Sequence, residues 1–131
     1  RLTVKRFNGI ITATLLGMLI TGCSLLPSKW DDNEAAGVTD LRWAIMYLDC
    51  DLDPVLIKHM IDDIYKKHGW LSTYVETKGT SDIEYLLDKM SLTLDPMYEK
   101  ETVSQRYCAL KQGVLQQQAE AIALTVMRRY D

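Results

Sequence analysis

The sequence predicts an all-α protein: a small four-helix bundle, stapled by one disulfide, that follows a lipoprotein signal peptide. Apolar residues recur at helical spacing in four segments, and no sustained alternating strand pattern interrupts them. Two cysteines fall at the end of the first segment and near the start of the fourth. A length of 131 residues, with 47% hydrophobic and 25% charged, suits one globular domain.

Residues 1–22 have the pattern of a secretory leader. Basic Lys5-Arg6 is followed by an apolar run from Ile10 to Ile20 and then by Thr21-Gly22-Cys23. The run is shorter than the 18 or more apolar residues that a membrane span usually needs. Its end resembles the bacterial lipoprotein signal, in which a cysteine after a small residue is lipidated and becomes the first mature residue. We therefore expect lipidation at Cys23, the alternative being an uncleaved anchor or a free thiol.

The residue after this cysteine bears on the destination of the protein. Ser24 resembles the outer-membrane sorting signal of such lipoproteins. We expect a protein anchored by lipid in the outer membrane and facing the periplasm, since several acyl chains give stable attachment. Residues 23–33 would form the lipidated N-terminus and tether, and residues 34–131 the helical domain.

The charge after the leader is acidic. Arg1, Lys5 and Arg6 are the only charged residues before Cys23, which leaves 12 basic and 18 acidic residues after it, a net charge of −6. Nucleic acids need a basic face, and so does a polybasic grip on anionic lipid. We expect no nucleic-acid partner, and contact with the membrane only through the N-terminal lipid.

The first helix is predicted from about Glu34 to Asp49. One face carries Val38, Leu41, Ile45 and Leu48. Trp43 and Tyr47 form a second apolar row, so this helix has more apolar surface than packing on one side would use. The helix is either fully buried or faces a partner.

The second helix is predicted to begin at Asp53-Pro54, because Asp caps the first turn and Pro suits the first helical position. Lys66-Lys67-His68 complements the helix dipole, and Gly69 is a good stop. Trp70 to Tyr74 would then begin a connection that runs through Lys78-Gly79. The apolar stripe of this helix comprises Ile57, Met60, Ile61, Ile64 and Tyr65.

Short capping motifs predict where the remaining two helices begin. Ser81 and Glu84 have the spacing of a capping box, which predicts a short third helix. The fourth helix starts either at Asp95-Pro96 or within Thr102 to Gln105, and both starts stay open.

Cys50 and Cys108 remain once Cys23 is assigned to lipid. An even pair in an oxidising compartment tends to form a disulfide, and two buried free thiols are the alternative. In an up-down bundle the end of the first helix lies near the start of the fourth, which is where these cysteines fall. The topology and the disulfide therefore support each other.

The sequence gives only a weak indication of a metal site. Asp49, Asp51 and Asp53 alternate as in a calcium loop, but Pro54 stands where that loop has glycine and Met60 where it needs a bidentate Glu. A helix end followed by an N-cap explains these aspartates better. We expect no metal and no cofactor.

The histidines do not suggest catalysis either. His59 and His68 are nine residues apart, on opposite sides of a helix, so they cannot share a metal or a proton relay. Each is expected at the surface or at a helix end. Without a phosphate-binding glycine loop or a nucleophile elbow, we expect neither an enzyme nor a small-molecule substrate.

Five segments of the mature chain, taken in order, show a family resemblance. They are Asp40 to Cys50, Asp53-Pro54, Lys67 to Trp70, Leu71 to Tyr74 and Arg106 to Leu110. Together they resemble the PulS/OutS-type secretin pilotins, small lipoproteins of bacterial type II secretion systems. The likeness extends over about Asp40 to Leu115.

The resemblance implies a disulfide-stapled bundle that binds the C-terminal tail of an outer-membrane secretin subunit and delivers it to that membrane. The tail would be disordered alone and would fold as a helix in a groove. No contact residue is carried over by motif. The apolar surplus nominates Trp43, Tyr47, Ile57, Ile61 and Ile64 as groove candidates.

Two other classes of function stay open. One is a structural or exclusion lipoprotein of phage or plasmid origin that occupies an envelope receptor. The other is a periplasmic enzyme or inhibitor; an inhibitor would bind a folded protein rather than a free helical tail.

Overall fold

The computed structural model describes residues 29–130, which form four α-helices and, within that range, no strand. Their bounds are α1 Asp32–Met46, α2 Pro54–Lys78, α3 Ser81–Glu99 and α4 Gln105–Met127. The predicted all-α bundle of four helices is confirmed. The leader, Cys23 and Ser24 lie outside the described residues.

The helices follow an up-down order in which each packs on its neighbours. α1 contacts α2 and α4, and α3 contacts the other sides of the same two helices. The connections 47–53 and 100–104 lie at one end, which we call the cystine end. The start of α1, the α2–α3 connection and residues 128–130 lie at the other, which we call the ionic end.

The core is formed by apolar residues of all four helices and of the connections at the cystine end. It comprises Val38, Leu41, Ile45, Leu48, Ile57, Ile61, Ile64, Leu71, Val75, Ile83, Leu87, Met90, Leu94, Met97, Val103, Cys108, Leu115, Ala119, Ile122 and Val126.

The predicted disulfide is present. Cys50 and Cys108 are bonded, with their Cα atoms 5.5 Å apart. The bond joins the connection after α1 to the first turn of α4, as expected for neighbouring antiparallel helices. It therefore closes the cystine end covalently.

α1 begins two residues earlier than predicted and ends three residues earlier, at Met46 rather than Asp49. The Asp31 carboxylate caps it by accepting a hydrogen bond from the Glu34 amide at 3.0 Å. The sequence analysis had assigned Asp31 to the tether.

α2 does not stop at Gly69, and that prediction is wrong. The helix continues to Lys78 because Leu71 and Val75, both fully buried, extend its apolar stripe. Glycine inside a helix costs about 1 kcal/mol, whereas burying each of these side chains contributes roughly 1.5–3 kcal/mol. The helix ends at Gly79, whose φ of 74° is left-handed.

α3 is longer than expected and runs through Pro96. Pro96 removes one helical hydrogen bond, but it lies on the exposed side, and the buried Leu94 and Met97 hold the helix together around it. The start at Asp95-Pro96 is therefore wrong for the fourth helix.

Ser104 caps α4 by accepting a hydrogen bond from the Tyr107 amide at 3.2 Å. The start within Thr102 to Gln105 is therefore the one observed. For α3 the capping box is not observed, because the cap residue is Thr80 and its side chain makes no capping bond.

A candidate binding groove between the first two helices

Trp43 and Tyr47 lie on the exposed side of α1. Their side chains are 56% and 57% exposed, and their ring centroids are 4.2 Å apart. The opposite side of the helix buries Val38, Leu41 and Ile45 in the core. α1 is therefore not fully buried, and its second apolar row faces outward.

Two adjoining hollows run along the seam between α1 and α2, with volumes of about 540 and 490 Å³. They share Asp40, Asp63 and Lys67, so together they form one groove. The first hollow is also lined by Asn33, Ala36, Gly37, Lys66 and Trp70. The second is also lined by Trp43, Ala44, Tyr47, His59 and Met60.

Small residues of α1 line the groove. A Cβ atom at Gly37 would lie 2.9 Å from Leu71 Cδ1 and 2.9 Å from Trp70 Cζ3, closer than such atoms approach. Glycine therefore allows the Trp70 ring to lie against the backbone of α1. Ala44 lines the second hollow, seven residues further along α1.

Trp70 is the groove residue that the sequence analysis missed. Its ring is 54% exposed and stacks on Tyr74, with centroids 5.3 Å apart and planes 10° from parallel. Because the sequence predicts a helix end at Gly69, both residues are expected in a connection. Their i, i+4 spacing is the signal that would place them on one face of a longer helix.

A charged cluster crosses the middle of the groove. Lys67 Nζ lies 3.5 Å from Asp40 Oδ2 and 3.4 Å from Asp63 Oδ2. Partial burial acts to lower the pKa of Lys67, but the two carboxylates outweigh it and the pKa is raised. The lysine is firmly cationic, and it ties α1 to α2 at this point.

Ile57, Ile61 and Ile64 are placed differently from the prediction. Each is at most 1% exposed, because they form the core stripe of α2. They support the groove from within and are not at its surface, which corrects their nomination. Trp43 and Tyr47 are the nominated residues that the groove brings together.

Hydrogen bonds hold one wall of the groove from the ionic end. The Tyr74 hydroxyl donates to the Asp31 carboxylate at 3.0 Å, and Lys78 Nζ lies 2.7 Å from Asp31 Oδ2. The hydrogen bond from Lys78 is the main cause that lowers the pKa of Asp31. Since Tyr74 stacks on Trp70, this contact also fixes the Trp70 ring.

The two histidines have different environments. His59 is exposed in the second hollow, as predicted. His68 is buried, and the prediction that it lies at the surface or at a helix end is wrong, because the longer α2 places it inside the helix and against α3. Its Nε2 lies 2.9 Å from the Leu87 carbonyl oxygen and donates to it, since a carbonyl can only accept.

Residues 29–130 hold no group of three or more side chains that could ligate a metal ion together. Nor does any helix in this range have the length and apolarity to cross a membrane.

No protein-family model, curated protein or solved structure matches this chain significantly.

Proposed function

We propose that this protein is a pilotin-like adaptor that binds the C-terminal tail of a type II secretion secretin and brings it to the outer membrane. One observation carries the proposal: an apolar groove between α1 and α2 with the exposed aromatic residues Trp43, Tyr47 and Trp70 on its walls. The resemblance noted in the sequence supplies the identity of the partner.

The groove has the physical properties of a helix-binding surface. Apolar side chains of an amphipathic helix can enter the two hollows, and the aromatic walls can cover them. Trp and Tyr are the residues that most often dominate binding energy at interfaces. A disordered tail would offset its ordering cost by burying one apolar face here.

The anchor completes the proposal. Acylation at Cys23, with Ser24 as the sorting residue, would hold the domain at the periplasmic face of the outer membrane. Trp30 packs on Tyr130, with ring centroids 5.2 Å apart, so an extended tether from Cys23 to Lys29 would reach roughly 20 Å. The protein would act by binding and delivery, without catalysis.

In cells, Cys23→Ser should leave the fold intact but release the protein and its secretin from the outer membrane.

The decisive experiment titrates residues 24–131 with the C-terminal segment of a secretin from the same organism. This fragment contains the whole described core, which lies between Val38 and Val126. Trp43 and Trp70 provide a fluorescence signal, and circular dichroism reports helix formation in the peptide. We expect saturable binding at micromolar concentration or tighter, with a gain of helix.

Two tyrosines provide a matched pair of variants. Tyr47→Ala, in the groove, should weaken binding by about tenfold or more, as expected of an interface anchor. Tyr85→Ala on α3 removes an equally exposed ring, 60% against 57%, and should leave affinity unchanged.

Two results together would exclude the proposal: no saturable binding of the tail, and unchanged secretin abundance and location after gene deletion. A gene neighbourhood of phage or conjugation genes would then favour an exclusion lipoprotein. Binding of a folded periplasmic protein would favour an inhibitor.

A further inference from the structure

The two hollows of the groove lie at a fixed separation along α1. Gly37, which lies against the Trp70 ring in the first hollow, and Ala44, which lines the second, are seven residues apart. At a rise of 1.5 Å per residue they are separated by about 10.5 Å along the helix. On a second helix lying in the groove, the same distance separates positions i and i+7, which share one face.

The space between the hollows is charged. Asp40, Asp63 and Lys67 line both hollows, and they supply two carboxylates for one ammonium group. The carboxylate side chains are 62% and 58% exposed, whereas that of Lys67 is 29% exposed. The middle of the groove therefore presents hydrogen-bond acceptors and one excess negative charge.

We propose that the groove selects an amphipathic helix with large apolar residues at positions i and i+7 and a Lys or Arg at i+3 or i+4. The inference rests on the proposed function only in taking the occupant to be a helix. The apolar residues enter the two hollows. The basic residue lies between them on the same face and binds the exposed carboxylates of Asp40 and Asp63.

The contacts that Lys67 already makes within the groove determine which charge the centre of the bound helix should carry. Lys67 is engaged with both aspartates, so an acidic residue at the centre would meet two carboxylates and no free cation in the shared segment. Lys66 is exposed but lines only the first hollow. It can bind a carboxylate beside the first anchor, and it does not alter the preference at the centre.

The test uses designed helical peptides of equal length that differ only at the positions named, titrated against residues 24–131. One peptide has leucines at i and i+7 with a central lysine. A second replaces that lysine with glutamate, and a third moves the leucines to i and i+11. We expect the first peptide to bind about tenfold tighter than either of the others, a difference of about 1.4 kcal/mol.

A charge reversal tests the central contact directly. Asp63→Lys should reverse the preference, so that the glutamate peptide binds more tightly than the lysine peptide. Asp88→Lys makes the same change in net charge at an exposed position on α3, outside the groove, and should leave the preference as it is.

The outcomes separate this inference from the proposed function. Equal affinity for all three peptides, or no binding of any, would overturn the inference even if the secretin tail binds. If the tail fails to bind but the spacing and charge preferences are observed, the proposed partner is wrong and the inference stands. Preferences that survive Asp63→Lys unchanged would contradict the central contact.

Discussion

The two ends of the bundle are closed by different chemistry. At the cystine end, the Cys50–Cys108 bond joins the α1–α2 connection to α4. Gln112 of α4 also donates to the carbonyls of Ile45 and Leu48, at 3.1 and 2.7 Å, and so satisfies the end of α1.

The ionic end depends on buried charge instead. The Arg129 guanidinium bonds both Glu34 of α1 and Asp82 of α3. Thr80 donates its hydroxyl to the other Glu34 oxygen at 2.9 Å. Burial lowers the pKa of Arg129, but a guanidinium remains protonated in proteins.

The comparison shows two ways to hold the same helices together. The disulfide acts mainly by restricting the unfolded chain and does not depend on protonation. The ionic network is stabilising only while every member is present, because a buried charge without its partner is costly. The ionic end also fixes a groove wall, through Asp31, Tyr74 and Trp70.

The largest expected effect is loss of the disulfide. Cys50→Ala combined with Cys108→Ala removes a link between residues 58 positions apart. The chain-entropy relation predicts destabilisation by about 4 kcal/mol. Urea denaturation followed by circular dichroism measures it, with native helicity expected before the transition. An unchanged midpoint would show that the bond adds nothing to stability.

Removal of Arg129 breaks the other end. Arg129→Met leaves the buried Glu34 carboxylate with only the Thr80 hydroxyl, and we expect a loss of about 3 kcal/mol in the free energy of unfolding. Arg128→Met changes the neighbouring, exposed arginine and should stay within about 0.5 kcal/mol. Equal effects of the two variants would mean that the network is dispensable.

A smaller effect is expected for the glutamine at the cystine end. Gln112→Leu leaves the Leu48 carbonyl without its donor and the Ile45 carbonyl with only the Leu48 amide, at a cost of about 1–2 kcal/mol. Gln116→Leu, at an exposed position one turn later, is the control and should be near neutral. The thermal unfolding midpoints of the two variants measure this difference. A lowered midpoint for Gln116→Leu alone would contradict the prediction.

The smallest effect depends on pH. The pKa of Asp31 is lowered in the folded protein, so its charge stabilises the fold above the unfolded pKa of 3.8, and this contribution disappears as the pH falls through the folded pKa. Asp31→Asn keeps a capping side chain but removes the charge. The stability difference between wild type and variant should shrink as the pH falls below about 4. A difference independent of pH would exclude a role for the charge.

Much of the fold could be predicted because its determinants are local. The caps at Asp53 and Ser104, the apolar stripes and the cysteine positions all act within a few residues or follow from up-down topology. The errors at Gly69 and Asp95-Pro96 share one cause. Gly69 is a local stop signal and Asp95-Pro96 a local start signal, and the burial of later residues, Leu71 and Met97, overrides both.

The sequence alone therefore determined the class of fold, the covalent link and the surplus of apolar surface on α1. Only the tertiary structure decided where the nominated apolar residues face: Ile57 and Ile61 of α2 point into the core, and Trp43 of α1 points outward. It also decided the groove and the Glu34–Arg129 pair, which join residues far apart in the chain. Periodicity specifies that a helix has an apolar face, whereas the packing of neighbouring helices determines what covers it.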